Sequence, residues 1–100
     1  MLFLIDHVHT PERCPGAEGS EAGKKWLLSV SEAEAAKKGV KLIGSYIAPT
    51  EHILIFVVEA KDLMAVEGFT FSRLALVGNT QITPVVDIKT LTKQVKKIIK

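Results

Sequence analysis

The sequence predicts an α+β domain built on a four-stranded antiparallel sheet. Three observations carry that reading. Four β-rich runs and two helical patterns follow one another as βαββαβ, a final amphipathic run closes the chain, and no repeat, linker or low-complexity tract divides the 100 residues. This order is the split-βαβ, or ferredoxin-like, pattern. Right-handed crossovers then set the strand order as 4-1-3-2 with antiparallel neighbours. A chain of this length suits one domain, residues 1–100, with a single hydrophobic core.

The elements follow in order. Residues 1–8 (MLFLIDHV) read as a central strand, with Phe3, Ile5, His7 and His9 on one face and Leu2, Leu4, Asp6 and Val8 on the other. Residues 10–20 hold Pro11, Pro15, Gly16 and Gly19 and read as a loop. One helix is predicted from Ser20, as its cap, to Lys38, with Ala22, Trp26, Val30, Ala33 and Lys37 as its buried stripe and Lys37-Lys38-Gly39 as its stop. A hairpin follows: Val40 to Ala48, a turn at Pro49-Thr50, then His52 to Ala60. Asp62 is placed as the cap of a second helix reaching Arg73 or Ala75, although Gly68, Phe69, Thr70 and Phe71 are poor helix formers. After a turn at Val77-Gly78-Asn79, Thr80 to Val86 is read as an edge strand because Pro84 lacks an amide donor. Asp87 caps a last helix with the stripe Ile88, Leu91, Val95 and Ile98, expected to dock on the body, and Lys89, Lys93, Lys96, Lys97 and Lys100 on its other side.

Composition narrows the function. The hydrophobic fraction is 47% and the mean hydropathy is +0.23, rich for a small monomer. One sheet face lacks helices of its own, so a second copy is its expected cover and a homodimer the expected state. Lysine supplies 11 of the 13 basic residues and the net charge is only +2, which argues against nucleic-acid binding. A lone cysteine gives no disulfide framework and fits a reducing compartment. The apolar start before Asp6 is too short for a signal core or a membrane span, so the expectation is a cytoplasmic protein with no membrane partner.

Three stretches carry a family resemblance: Gly39 to Tyr46 (GVKLIGSY), Val57 to Asp62 (VVEAKD) and Gln81 to Val86 (QITPVV). Over about half its length, Gly39 to Ile88, the chain resembles the small dimeric α/β-barrel domains, in particular GYD-type domains and related small domains of unknown function. The resemblance implies a ferredoxin-like protomer that pairs sheet to sheet into a dimeric α/β barrel. It implies no single activity, because such relatives include cofactor-free oxygenases, isomerases and haem-degrading enzymes. No catalytic residue is carried over from it.

The predicted topology gathers polar side chains at one sheet end. The end of the first strand abuts the starts of the third and fourth, which brings His7 and His9 towards His52, Asn79 and Gln81; Tyr46 ends the second strand at the same edge, and Cys14 lies in the loop leaving it. His-x-His on a strand presents both imidazoles to one face, in reach of one ion. His7, His9 and His52 are therefore candidate nitrogen ligands for a divalent metal such as zinc, with Cys14 or water in the fourth position. The same histidines with Tyr46, Asn79 and Gln81 also suit a small-molecule pocket, or a set of hydrogen-bonded structural side chains. Gly-rich phosphate loops, paired zinc-knuckle cysteines and a nucleophile elbow are absent. Three functions remain: a metal- or small-ligand-binding module, a cofactor-independent enzyme using a histidine proton shuttle on a small carbonyl or aromatic compound, and a non-catalytic assembly subunit.

Overall fold

Alternation along the first strand divides the molecule into two sides. In a computed structural model that describes residues 1–99, β1 (Leu2–Val8) buries Phe3, Ile5 and His7 beneath the helices and leaves Asp6 and Val8 exposed on the opposite face. β1 is followed by two short 3₁₀ turns (Pro11–Arg13 and Pro15–Glu18), α1 (Ser20–Ser29), α2 (Glu32–Lys37), β2 (Lys41–Ala48), β3 (Ile53–Glu59), α3 (Leu63–Thr70), β4 (Asn79–Val85) and α4 (Ile88–Ile99). The sheet order is β2-β3-β1-β4 with every neighbour antiparallel, as the crossover argument requires. Leu54, Phe56 and Val58 of β3 join Phe3 and Ile5 against Val66, Phe69 and Leu74, and this layer is the core.

The long first helix is in fact two. α1 ends at Ser29, and Ser31 opens α2 by accepting the Glu34 backbone N–H at 3.4 Å. Ser31-Glu32-Ala33-Glu34 is a capping-box sequence, which competes with continuation of the preceding helix. The break shifts the helical phase. Ala35 is buried instead of Ala33, and Lys37 is exposed, paired with Glu34 at 3.3 Å. Gly19 occupies the cap position before α1, so Ser20 is the first helical residue and makes no capping hydrogen bond. Asp62 caps α3 as expected, its Oδ1 accepting from Ala65 N at 3.0 Å. The chain beyond Thr70 widens into a π-helical turn over Phe71–Ala75, closed by Leu76 N–H donating to Phe71 O at 3.2 Å.

Two expectations are corrected here. The sheet is open: β2 and β4 are its edges and each is paired on one side only, so it does not close into an α/β barrel, and nothing in the fold evidences a dimer. The face expected to be covered by a second copy carries charged and polar side chains. Asp6 lies opposite Ile55 and Gln81, and Lys41 lies opposite Glu59. The last helix is the second correction. Capped by Asp87, which accepts from Thr90 N at 3.3 Å, α4 leaves none of its residues buried, and the molecule measures 58 Å along its longest axis. Val86 and Asp87 join β4 to α4. Lys100, counted above on its basic side, lies outside the described residues.

Candidate metal centre

The site grows from the end of β1. His7 pairs with Thr80 across β1–β4 and with Leu54 across β1–β3, so its imidazole enters the core side and is fully buried. One residue past the strand, His9 N–H donates to His52 O at 3.2 Å and keeps the two chains in register. On the other side, Gly78 lets its own chain pass close to Val8 and His9, because a Cβ there would collide with the Val8 carbonyl and the His9 side chain. His52 ends the β2–β3 turn with φ of 57°, a left-handed conformation that histidine tolerates better than β-branched residues do. Trp26 of α1 walls the cluster, its ring 5.6 Å from that of His9 and edge-on to it. Its Nε1 donates to Arg73 O at 2.7 Å, and Arg73 Nε returns to Ser29 O at 2.9 Å.

The imidazoles form a chain. His7 Nδ1 is 2.8 Å from Thr80 Oγ1, His7 Nε2 is 3.0 Å from His9 Nδ1, and His9 Nε2 is 3.2 Å from His52 Nδ1. The chain can run in either direction, according to the tautomer. In the direction that frees His9 for a metal, the Thr80 hydroxyl accepts from His7 Nδ1–H. His7 Nε2 is then a lone pair and accepts from His9 Nδ1–H. That leaves His9 Nε2 as a lone pair aimed at His52. Burial, and secondarily the neighbouring His9, lowers the His7 pKa to about 4. Burial and then His52 lower that of His9. Both rings are thus neutral at neutral pH, the form that ligates.

His9, Cys14 and His52 converge: one ligand atom from each lies within 4.8 Å of the other two. Tetrahedral zinc with these ligands needs donor atoms ~3.3–3.5 Å apart. The two histidine nitrogens, 3.2 Å apart, lie close to this spacing, and Cys14, half-buried and free, has its sulfur within 4.8 Å of both histidine ligand atoms. A His/Cys/His set of this kind can coordinate a divalent metal ion, as expected, but the set pairs His9 with His52 and Cys14 and leaves out His7, which the His-x-His spacing had placed on the same ion. His7 stands behind it, with both ring nitrogens already engaged.

A family model described as a domain of unknown function, DUF3303, matches residues 1–99. The chain belongs to the DUF3303 family. This corrects the resemblance to GYD-type dimeric-barrel domains, which rested on half the chain and on strand-and-turn patterns shared by many open sheets. No curated protein and no solved structure matches this DUF3303 chain. No helix among the described residues is long and apolar enough to cross a membrane.

The remaining sequence candidates in this DUF3303 domain fall elsewhere. Tyr46 is 67% exposed and pairs with Ile55 on the face away from the histidines. Asn79 and Gln81 pair with Val8 and Asp6, so they share that outer face, although Asn79 reaches the rim of a groove beside His9. Sequence reasoning missed Thr80 and Trp26. Thr80 was legible in principle, since an antiparallel register that pairs Val8 with Asn79 puts Thr80 opposite His7. Trp26 carried no such signal, because its contact with His9 depends on how α1 crosses the sheet.

Proposed function

We propose that this protein is a divalent-metal-binding domain, with zinc the best-suited ion, held by His9 Nε2, His52 and Cys14 and leaving a fourth position open. The convergence of those three side chains at the end of the sheet carries the reading. Two neutral imidazoles and one thiolate are borderline-to-soft donors, a set that favours zinc over magnesium or calcium. Three protein ligands with a free position is the pattern of sites that bind or act on a small molecule, whereas structural zinc sites are closed by four. His7 and Thr80 act behind the ligands by fixing the His9 ring and its tautomer. Elemental analysis of untagged protein, with zinc titration of the stripped form, is the test. About one equivalent retained, lost in a His9→Ala, Cys14→Ser double variant, is expected; absence of both retention and uptake would remove the reading.

The hydrogen-bonded chain from Thr80 to His52 supports a second reading, a cofactor-independent proton shuttle on a small carbonyl or aromatic substrate. It predicts that metal-free protein is the active form, whereas the metal reading predicts that stripping abolishes function.

A further inference from the structure

The surroundings of the centre point to the kind of molecule that its open position receives. Two grooves flank the cluster, and Arg13 lines both. The one on the His9 side, about 460 Å³, is walled by His9, Arg13, Leu76, Val77 and Asn79 around Gly78. The one on the Cys14 side, about 410 Å³, includes Glu12 and Glu18. Arg13 Nη2 donates to Leu76 O at 3.0 Å, which holds the guanidinium at the groove wall and leaves most of its five donors unused.

Resting on the metal reading above, we propose that the His9-side groove binds a small organic monocarboxylate, one end at the metal's open position and Arg13 as its second anchor. Charge selects the anion. A divalent ion with one thiolate and two neutral imidazoles keeps a charge of +1, Arg13 adds another, and no acidic side chain lines this groove. The Cys14-side groove carries two carboxylates and repels the same ligand. Shape selects an organic acid over an inorganic anion, because Leu76 and Val77 offer an apolar wall to a short hydrocarbon chain and Asn79 a polar rim. Guanidinium is suited to a carboxylate by its planar fork, which a lysine lacks.

Cobalt(II) in place of zinc makes both steps visible. Cobalt bound through Cys14 gives a thiolate-to-metal charge-transfer band, and ligands at the open position shift the weaker visible bands. Butyrate, phosphate and neutral butyramide are titrated into the cobalt protein. Saturable shifts with butyrate, weaker ones with phosphate and none with butyramide are expected. Arg13→Gln should weaken butyrate about ten- to a hundredfold, the range for a hydrogen bond to a charged group, while keeping the charge-transfer band; Arg13→Lys should fall between. A charge-transfer band that persists with butyrate having no effect, or with butyramide or phosphate binding as well as butyrate, overturns the carboxylate assignment and leaves the metal centre standing. Absence of the charge-transfer band overturns both.

Discussion

His7 Nε2 lies 3.0 Å from His9 Nδ1, so the deeper imidazole holds the outer one by the nitrogen that does not face the metal position. Removing this support removes no ligand. His7→Phe keeps the buried volume roughly and deletes the acceptor, and the loss in zinc affinity should be about 10- to 100-fold, the usual effect of a residue that orients a ligand. Thr80→Val should act in the same direction and more weakly. Competition with a chromophoric chelator measures both, and unchanged affinity in His7→Phe would show that His9 needs no orienting partner.

The metal-free protein should lose stability in mild acid. The folded-state pKa of His7, about 4, is below its unfolded value of 6.5, so the unfolded chain takes up the proton first as pH falls. The stabilisation is complete above about pH 6.5, declines between 6.5 and about 4, and levels off below. The size is about 3.5 kcal/mol at most, from 1.4 kcal/mol per pH unit between 6.5 and about 4. His9, lowered as well, adds to the same slope. Urea denaturation across this range should show the decline, and His7→Phe should flatten most of it.

His52 combines a left-handed backbone with a place in the proposed ligand set. A side chain there costs about 1–2 kcal/mol relative to glycine. His52→Gly should therefore leave the metal-free fold as stable or slightly more so, while zinc binding drops sharply. His52→Val, β-branched at positive φ, should lose both. Thermal melts with and without zinc separate the two effects; a marked loss of metal-free stability in His52→Gly would contradict this account.

Trp26 is the sole tryptophan, and its ring packs edge-on to His9 at 5.6 Å. Its fluorescence should change when zinc binds and follow the same titration as metal uptake. Trp26→Phe leaves the Arg73 carbonyl without its 2.7 Å donor and should cost about 1–3 kcal/mol. Denaturation midpoints measure that cost.

α4 should tolerate charge on its apolar stripe. Leu91 is 51% exposed and Val95 39% exposed, so Leu91→Asp with Val95→Asp removes little packing from the body. The double variant should unfold within about 0.5 kcal/mol of the parent. A loss of several kcal/mol would mean that the stripe is covered in solution.

The sequence carried the topology well because its signals are local and repeated. β1 alternates cleanly, Asp62 and Asp87 cap where they were placed, and Pro84 lies on an edge strand. It carried the helix break less well: the stripe from Trp26 to Val30 masked the Ser31–Glu34 capping box. At the site, strand direction brought the end of β1 towards His52, while which face His52 shares depended on the β1–β3 register. The separation of roles between His7 and His9 did not follow from strand direction, since it depends on which ring nitrogen meets Thr80. Tyr46, Asn79 and Gln81 were grouped with the histidines by sheet end, and the register sends their side chains to the other face.

The projecting α4 divides the molecule's charge as well as its shape. Residues 88–99 carry Lys89, Lys93, Lys96 and Lys97 and no acid, whereas residues 1–87 hold eight cations against eleven acids, a net of −3. The near-neutral whole is thus a macroscopic electric dipole along a 58 Å axis, positive at the helix tip and negative over the domain. Close to any charged surface, within a Debye length of about 10 Å at 0.1 M salt, this polarity fixes which end arrives first, and added salt erases the preference.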